Sequence, residues 1–154
     1  MEAQGEFAKG GVYDCCFKWR AEFTYADGVK LIFATPNEAE GKMNVLIQGD
    51  QGWVCADRGS IDAYPKSLLS EQPGALADPW PTDHFRDFLH AIRDGREPAA
   101  PIEVSHLSTT LCHLANIGVV VQRPLRWDGK HERFINDPLA DRMLASPLRA
   151  PWNL

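Results

Sequence analysis

The chain has 154 residues, of which 44% are hydrophobic and 24% are charged, and its formal net charge at pH 7 is -5. This length favours a single domain over residues 1–154 with a real core, and the ordinary apolar content excludes disorder of the whole chain. The chain has 16 basic and 21 acidic residues, and the basic residues form no run longer than two. This composition argues against a nucleic-acid partner.

No stretch of 18 apolar residues is present, and residues 1–6 are polar and acidic. The sequence therefore predicts neither a membrane span nor a secretory signal. The four cysteines could form at most two disulfides, but a chain of this length does not need them. Reduced, packed thiols in a cytoplasmic protein are the favoured interpretation. The four are Cys15, Cys16, Cys55 and Cys112.

Alternating apolar and polar residues from Phe17 to Tyr25 predict a strand with one buried face. The segment 26–28 supplies a turn with a glycine, and a second strand returns over residues 29–35. Three further strands complete an open, mostly antiparallel meander of about five strands within residues 13–64. They are predicted at residues 43–48, 53–57 and 61–64.

The two faces of this predicted sheet differ in polarity. One face is apolar and is expected to be buried; it carries Phe17, Trp19, Phe23, Tyr25, Leu31, Phe33, Val45 and Ile47. The other face mixes polar residues with Ile32, Ala34, Leu46 and Val54. We interpret this second face as an interface with another subunit or domain, and a moderately apolar surface is the alternative.

Helices are predicted after a proline-rich loop over residues 65–81. The first covers about residues 83–93, with Thr82 or Asp83 as its cap, an apolar stripe, and Gly95 after its end. The stripe consists of Phe85, Phe88, Leu89 and Ile92. The longest helix covers about residues 105–122, with Ser105 as its cap.

A small helix begins after Asn136 or Asp137, with Pro138 in its first turn, and the tail 146–154 is predicted to be extended. These elements predict an α+β fold, with the helices packed on one face of the sheet.

No zinc motif, glycine-rich nucleotide loop or nucleophile elbow is present in the sequence. The long helix instead carries a dense set of uncharged polar side chains opposite its leucines: His106, Thr109, Thr110, His113 and Asn116. Such neutral donors and acceptors suit a wall of a sugar or polyol site. The alternative is that these side chains bond the backbone of neighbouring segments. His106 and His113 lie about 10 Å apart along the axis, so they cannot chelate one metal.

Several blocks resemble the Gfo/Idh/MocA oxidoreductases, in particular the C-terminal domain of a bacterial subgroup. The blocks are residues 84–89, 104–117, 125–128 and 134–138, together with the ending 146–152. With the hairpin at residues 24–31, they extend from about Gly5 to the C-terminus. This chain has Ser105-His106-Leu107-Ser108 where relatives tend to have Gly-His-Arg-Ser, which puts a basic contact in doubt.

The resemblance implies an NAD(P)-dependent oxidoreductase acting on sugars or cyclitols. It also implies an N-terminal Rossmann domain with a catalytic lysine, and neither has a counterpart in this sequence. We therefore expect no catalytic residue, metal or bound cofactor in this chain, and NAD(P) only in a full-length relative. Expected substrate contacts are His106, Thr109, Thr110 and His113. Whether the chain acts as an enzyme stays open.

The first hypothesis is therefore a truncated or free-standing substrate and oligomerisation domain that pairs through its open sheet face or with a missing Rossmann domain. The second is a non-enzymatic module that binds a carbohydrate or a protein. An independent enzyme acting through His106 and His113 ranks last, because neither imidazole has a carboxylate nearby in sequence.

Overall fold

A computed structural model describes residues 1–35, 45–57, 60–69, 83–146 and 149–151. The predicted connection at 36–41, most of the loop 65–81, Thr82 as a cap and parts of the tail lie outside the described residues. Contacts divide the chain into two compact units. One comprises residues 1–40 and 106–154, and the other comprises residues 41–105.

The first unit contains a three-stranded antiparallel sheet in the order β1–β2–β3. Its strands are β1 Glu2–Phe7, β2 Cys16–Thr24 and β3 Lys30–Ala34. The sequence analysis missed β1, because its polar residues do not show an apolar alternation. The strand forms by pairing with the alternating β2, with Ala3 opposite Ala21.

The predicted meander of five strands is wrong in its connectivity. Strands β4 Val45–Gln48, β5 Trp53–Ala56 and β6 Ile61–Tyr64 lie close to their predicted positions but form a separate antiparallel sheet, β4–β5–β6. Hydrogen bonding explains the difference, because β2 pairs with β1 and β3, while β4 pairs with β5. The α+β class is confirmed, with a third, two-stranded sheet of β7 Trp127–Asp128 and β8 Arg133–Phe134.

Helix α1 spans His84–Asp94 in the second unit, and its predicted caps are confirmed. The backbone N–H of Arg86 donates to Asp83 Oδ1 at 3.0 Å, and Gly95 adopts a left-handed φ of 63°. The predicted apolar stripe of α1 is present but exposed at Phe85, Phe88, Leu89 and Ile92. The buried side chains are instead Asp87 and Ala91, because Arg96 and the backbone of Ala99 bind the Asp87 carboxylate.

Helix α2 spans Ile102–Val121, three residues earlier at its start than predicted. Ser105 is not the cap of α2, because it already lies inside the helix. The backbone N–H of Ser105 donates a hydrogen bond to the carbonyl oxygen of Pro101. From residue 106 onward the helix belongs to the first unit. Its buried side is formed by Leu114, Ala115, Ile117, Gly118 and Val119.

The core of the first unit joins α2 to the sheet and to the C-terminal elements. Ala21 is fully buried, Phe23 packs in the same cluster and Trp19 packs partly against it, as predicted for the apolar sheet face. Phe17 and Tyr25 of that predicted face are exposed, as are the neighbouring-strand residues Leu31 and Phe33. The cluster consists of Ala3, Ala21, Phe23, Leu114, Ala115, Ile117, Val119, Leu125, Phe134 and Ala140.

The C-terminal elements continue through α3 Pro138–Asp141 and a short 3-10 helix, Arg142–Leu144. Asp137 caps α3, with Pro138 in its first turn, as predicted.

Two expectations drawn from composition need revision. Among the described residues, α2 is long and apolar enough to meet the length and composition test for a membrane span. The core helix of a soluble protein meets the same test, and the C-terminal half of α2 contributes to a core. All four cysteines are free thiols, but Cys15 and Cys112 are exposed rather than packed.

Candidate functional site

The polar side of α2 opens onto a pocket in the first unit with a volume of about 260 Å³. The helical spacing that buries Leu114 and Ile117 turns Thr110, His113 and Asn116 toward this pocket. The opposite wall comes from segments that follow the helix. The complete lining is Thr110, His113, Leu114, Asn116, Ile117, Trp127, Glu132, Met143 and Leu144.

Two of the four predicted contact residues, Thr110 and His113, line this pocket. His106 and Thr109 do not belong to its lining. Thr109 is exposed on the helix surface, because it lies one position away from Thr110 and so points in a different direction. Asn116, which the sequence analysis placed on the same polar side, does line the pocket.

His106 contacts the pocket indirectly, through an acidic residue distant in sequence. Its Nε2 forms a hydrogen bond of 2.6 Å with Oε1 of Glu132, and Glu132 lines the pocket. Both side chains are about half exposed. The expectation that His106 lacks a carboxylate partner holds only for nearby sequence, because this partner lies 26 residues further along the chain.

Glu132 is held by the turn between β7 and β8. The Asp128 carboxylate accepts hydrogen bonds from the backbone N–H groups of Lys130 and His131, at 3.1 and 3.3 Å. Its other oxygen bonds Nδ1 of His131 at 2.7 Å, and this side-chain hydrogen bond is the main cause of the lowered pKa of Asp128. Glu132 then adopts a left-handed φ of 49°, a conformation that non-glycine residues rarely adopt.

Apolar groups complete the pocket wall. Trp127 packs edge-on against the buried ring of Phe134, with ring centroids 5.1 Å apart. Met143 and Leu144 of the 3-10 helix add aliphatic surface. No local pattern indicated that Glu132 shares a pocket with His113.

A second cavity, of about 390 Å³, lies in the other unit, between α1 and the start of α2. His84, Asp87 and Glu97 supply part of its polar lining. The Asp87 carboxylate is already bonded by the Ala99 N–H and by Arg96, both at 2.7 Å, and these contacts lower its pKa in that order. This cavity is larger, but its buried carboxylate, Asp87, already anchors the segment that follows α1. The pocket on α2 is therefore the better candidate site.

The described residues do not suit binding of a dinucleotide cofactor. Such cofactors bind where a parallel strand leads through a glycine-rich turn into a helix N-terminus. The sheets of the described residues are antiparallel, and the sequence contains no Gly-x-Gly-x-x-Gly. Likewise, no three His, Cys, Asp or Glu side chains come together as metal ligands in the part that the structure describes.

Comparison with known proteins identifies the family. Residues 8–154 match the family model of the Gfo/Idh/MocA oxidoreductases described as "Oxidoreductase family, C-terminal alpha/beta domain". Searches of curated proteins and of solved structures returned no significant match. The family match covers nearly the whole chain and includes every residue of the pocket. This chain therefore belongs to the oxidoreductase family and corresponds to its C-terminal alpha/beta domain.

Proposed function

We propose that this chain is the substrate-side domain of an NAD(P)-dependent oxidoreductase, and that the pocket on α2 forms one wall of a site for a sugar or cyclitol. The observation that supports this most directly is the convergence of Thr110, His113 and Asn116 on one pocket. A hydroxyl, an imidazole and an amide offer donors and acceptors without placing a fixed charge on the helix. A polyhydroxylated ligand presents the complementary groups.

The role of this chain in the reaction is to bind and orient the substrate. The aromatic and aliphatic wall of Trp127, Met143 and Leu144 suits the C–H face of a sugar ring. Hydrogen bonds to the polar wall would fix the orientation of the hydroxyl groups of the bound substrate. Since the described residues do not suit a dinucleotide, we assign cofactor binding and hydride transfer to a separate domain.

A pair of neighbouring threonines provides a matched test. Thr110→Val removes a hydroxyl from the pocket while preserving side-chain shape, whereas Thr109→Val makes the same change outside the pocket. One lost hydrogen bond is worth about 0.5–1.5 kcal/mol, so we expect Thr110→Val to weaken binding of a neutral polyol roughly two- to tenfold. Affinity is measured by ligand-detected NMR titration with myo-inositol. Equal effects of the two substitutions would contradict the proposal.

Exposed apolar strand residues support a second role, pairing with another copy of this chain. Ile32 of β3 and Leu46 of β4 were predicted on one interface face but lie in two separate sheets, and each is exposed. Sedimentation equilibrium of the chain tests this role. We expect a dimer that Leu46→Lys converts to a monomer and that Gln51→Lys, in an exposed turn, leaves intact. A monomeric parent chain would overturn this role without affecting the pocket.

A further inference from the structure

The pocket carries one formal charge among its described lining residues, the carboxylate of Glu132. Aspartate, lysine and arginine are absent from that lining. His113 supplies an imidazole to the same lining. A bound ligand therefore meets this carboxylate with no lysine or arginine among the described residues of the lining.

The carboxylate has one oxygen directed to His106 and one available for a ligand. Oε1 bonds His106 Nε2 at 2.6 Å, and within the described ranges no other hydrogen bond or ion pair of the Glu132 side chain is seen. An ionised carboxylate only accepts hydrogen bonds. It can therefore bind a ligand hydroxyl or ammonium group, and it offers nothing to a carboxylate or phosphate of the ligand.

We infer that Glu132, oriented by His106, determines ligand class: the pocket takes neutral or amine-bearing polyols and rejects sugar acids and sugar phosphates. This inference rests on the proposed function, since it assumes that the pocket on α2 binds a polyol. Glu132 is a specificity-determining residue that contacts the ligand. His106 is a positioning residue that acts through Glu132.

Three ligands that share one ring distinguish charge from shape: glucose, glucosamine and glucuronate. Each is titrated into the isotope-labelled chain at neutral pH while the indole N–H resonance of Trp127 reports binding in this pocket. Repulsion between unit charges a few ångströms apart near a protein surface predicts that glucuronate binds at least about tenfold more weakly than glucose. Glucosamine is expected to bind as tightly as glucose or more tightly.

Substitutions separate the two roles. Glu132→Gln removes the charge and is expected to bring glucuronate to within about twofold of glucose. The matched control Glu6→Gln removes an exposed carboxylate outside the pocket and is expected to leave the ratio unchanged. His106→Ala keeps the charge but loses the contact that orients it, so all three ligands should weaken alike. His106→Gln, which can still donate a hydrogen bond, should partly restore their binding.

The outcomes distinguish this inference from the proposed function. If glucuronate shifts the Trp127 resonance at the same concentration as glucose, the charge-based inference is overturned and the pocket assignment survives. Selectivity that persists in Glu132→Gln would likewise exclude Glu132 as its origin. If none of the three ligands shifts that resonance, the proposed function fails and the inference fails with it.

Discussion

Asp137 connects two parts of the first unit through one carboxylate. It caps α3 by accepting from the backbone N–H of Ala140, and it pairs with the guanidinium of Arg123 through both oxygens. The hydrogen bond from Arg123 is the main cause that lowers the pKa of Asp137 to about 2. Only the ionised form makes this pair, so the carboxylate stabilises the fold wherever it is charged.

The pKa of Asp137 predicts a specific acid sensitivity. Because the folded-state pKa lies below the ordinary value of 3.8, the contribution is complete above about pH 4 and is lost as pH falls toward 2. We expect Asp137→Asn to lower stability at neutral pH and to flatten the dependence of unfolding on pH between about 4 and 2. Urea unfolding at several pH values measures this. Asp14→Asn, at an exposed loop position, serves as the control. If the unfolding free energy of Asp137→Asn falls with pH as steeply as that of the parent chain, the assignment is contradicted.

The candidate site shows which residues can be predicted from sequence. Helical spacing placed Thr110, His113 and Asn116 on one side of α2, but it placed His106 and Thr109 there as well, and these two do not line the pocket. Glu132 was not predictable, because its place in the pocket depends on a turn that brings it to His106 from 26 residues away. Periodicity reports the direction of a side chain within one element, and it contains no information about which distant segment lies opposite.

At the scale of elements, α2 and β1 approach each other closely at Gly118. A Cβ atom built on Gly118 would lie 2.8 Å from the Cβ of Ala3 and 2.6 Å from the Cε of Met1. The Met1 side chain can move, but the Ala3 Cβ is fixed to a paired strand. Glycine at this helix position therefore permits the buried contact, although it disfavours the helix itself.

Gly118→Ala should consequently destabilise the protein. The gain in helix propensity is about 1 kcal/mol, and the overpacking cost is about 1–3 kcal/mol, so we expect a net loss of up to about 2 kcal/mol. Chemical denaturation measures it. The double variant Gly118→Ala with Ala3→Gly relieves the contact, so its loss should be smaller than the sum of the single losses. Additive losses would show that the two residues do not oppose each other.

Local signals predicted most elements, while pairing between them was less predictable. The caps Asp83 and Asp137 and the alternation in β2 identified their elements, because each depends on a few adjacent residues. Strand β1, and the separation of β4–β6 from β1–β3, depend instead on which strands pair with each other, and the pairing strands can be far apart in sequence. The apolar stripe of α1 illustrates a related point: an amphipathic pattern predicts an apolar face without showing whether that face is covered, and here the face is exposed.

At the scale of the whole molecule, the proposed function divides the chemistry between this chain and a separate nucleotide-binding domain. Calorimetric titration of the chain with NADH is expected to show no binding in the micromolar range, because the described sheets lack the strand, turn and helix that hold a dinucleotide. ATP provides a control for general nucleotide binding. Micromolar affinity for NADH alone would show that the chain holds the cofactor itself.

The central claim is that the polar side of α2 binds a neutral polyol, and a titration with site-resolved signals tests it most directly. Myo-inositol is added to the isotope-labelled chain while the side-chain amide of Asn116 and the indole N–H of Trp127 are followed. The account predicts that both resonances shift with one common, saturable affinity, while the indole of Trp53 on β5 does not move. Shifts that are absent, or that occur at Trp53 and not at Asn116 and Trp127, would contradict the claim.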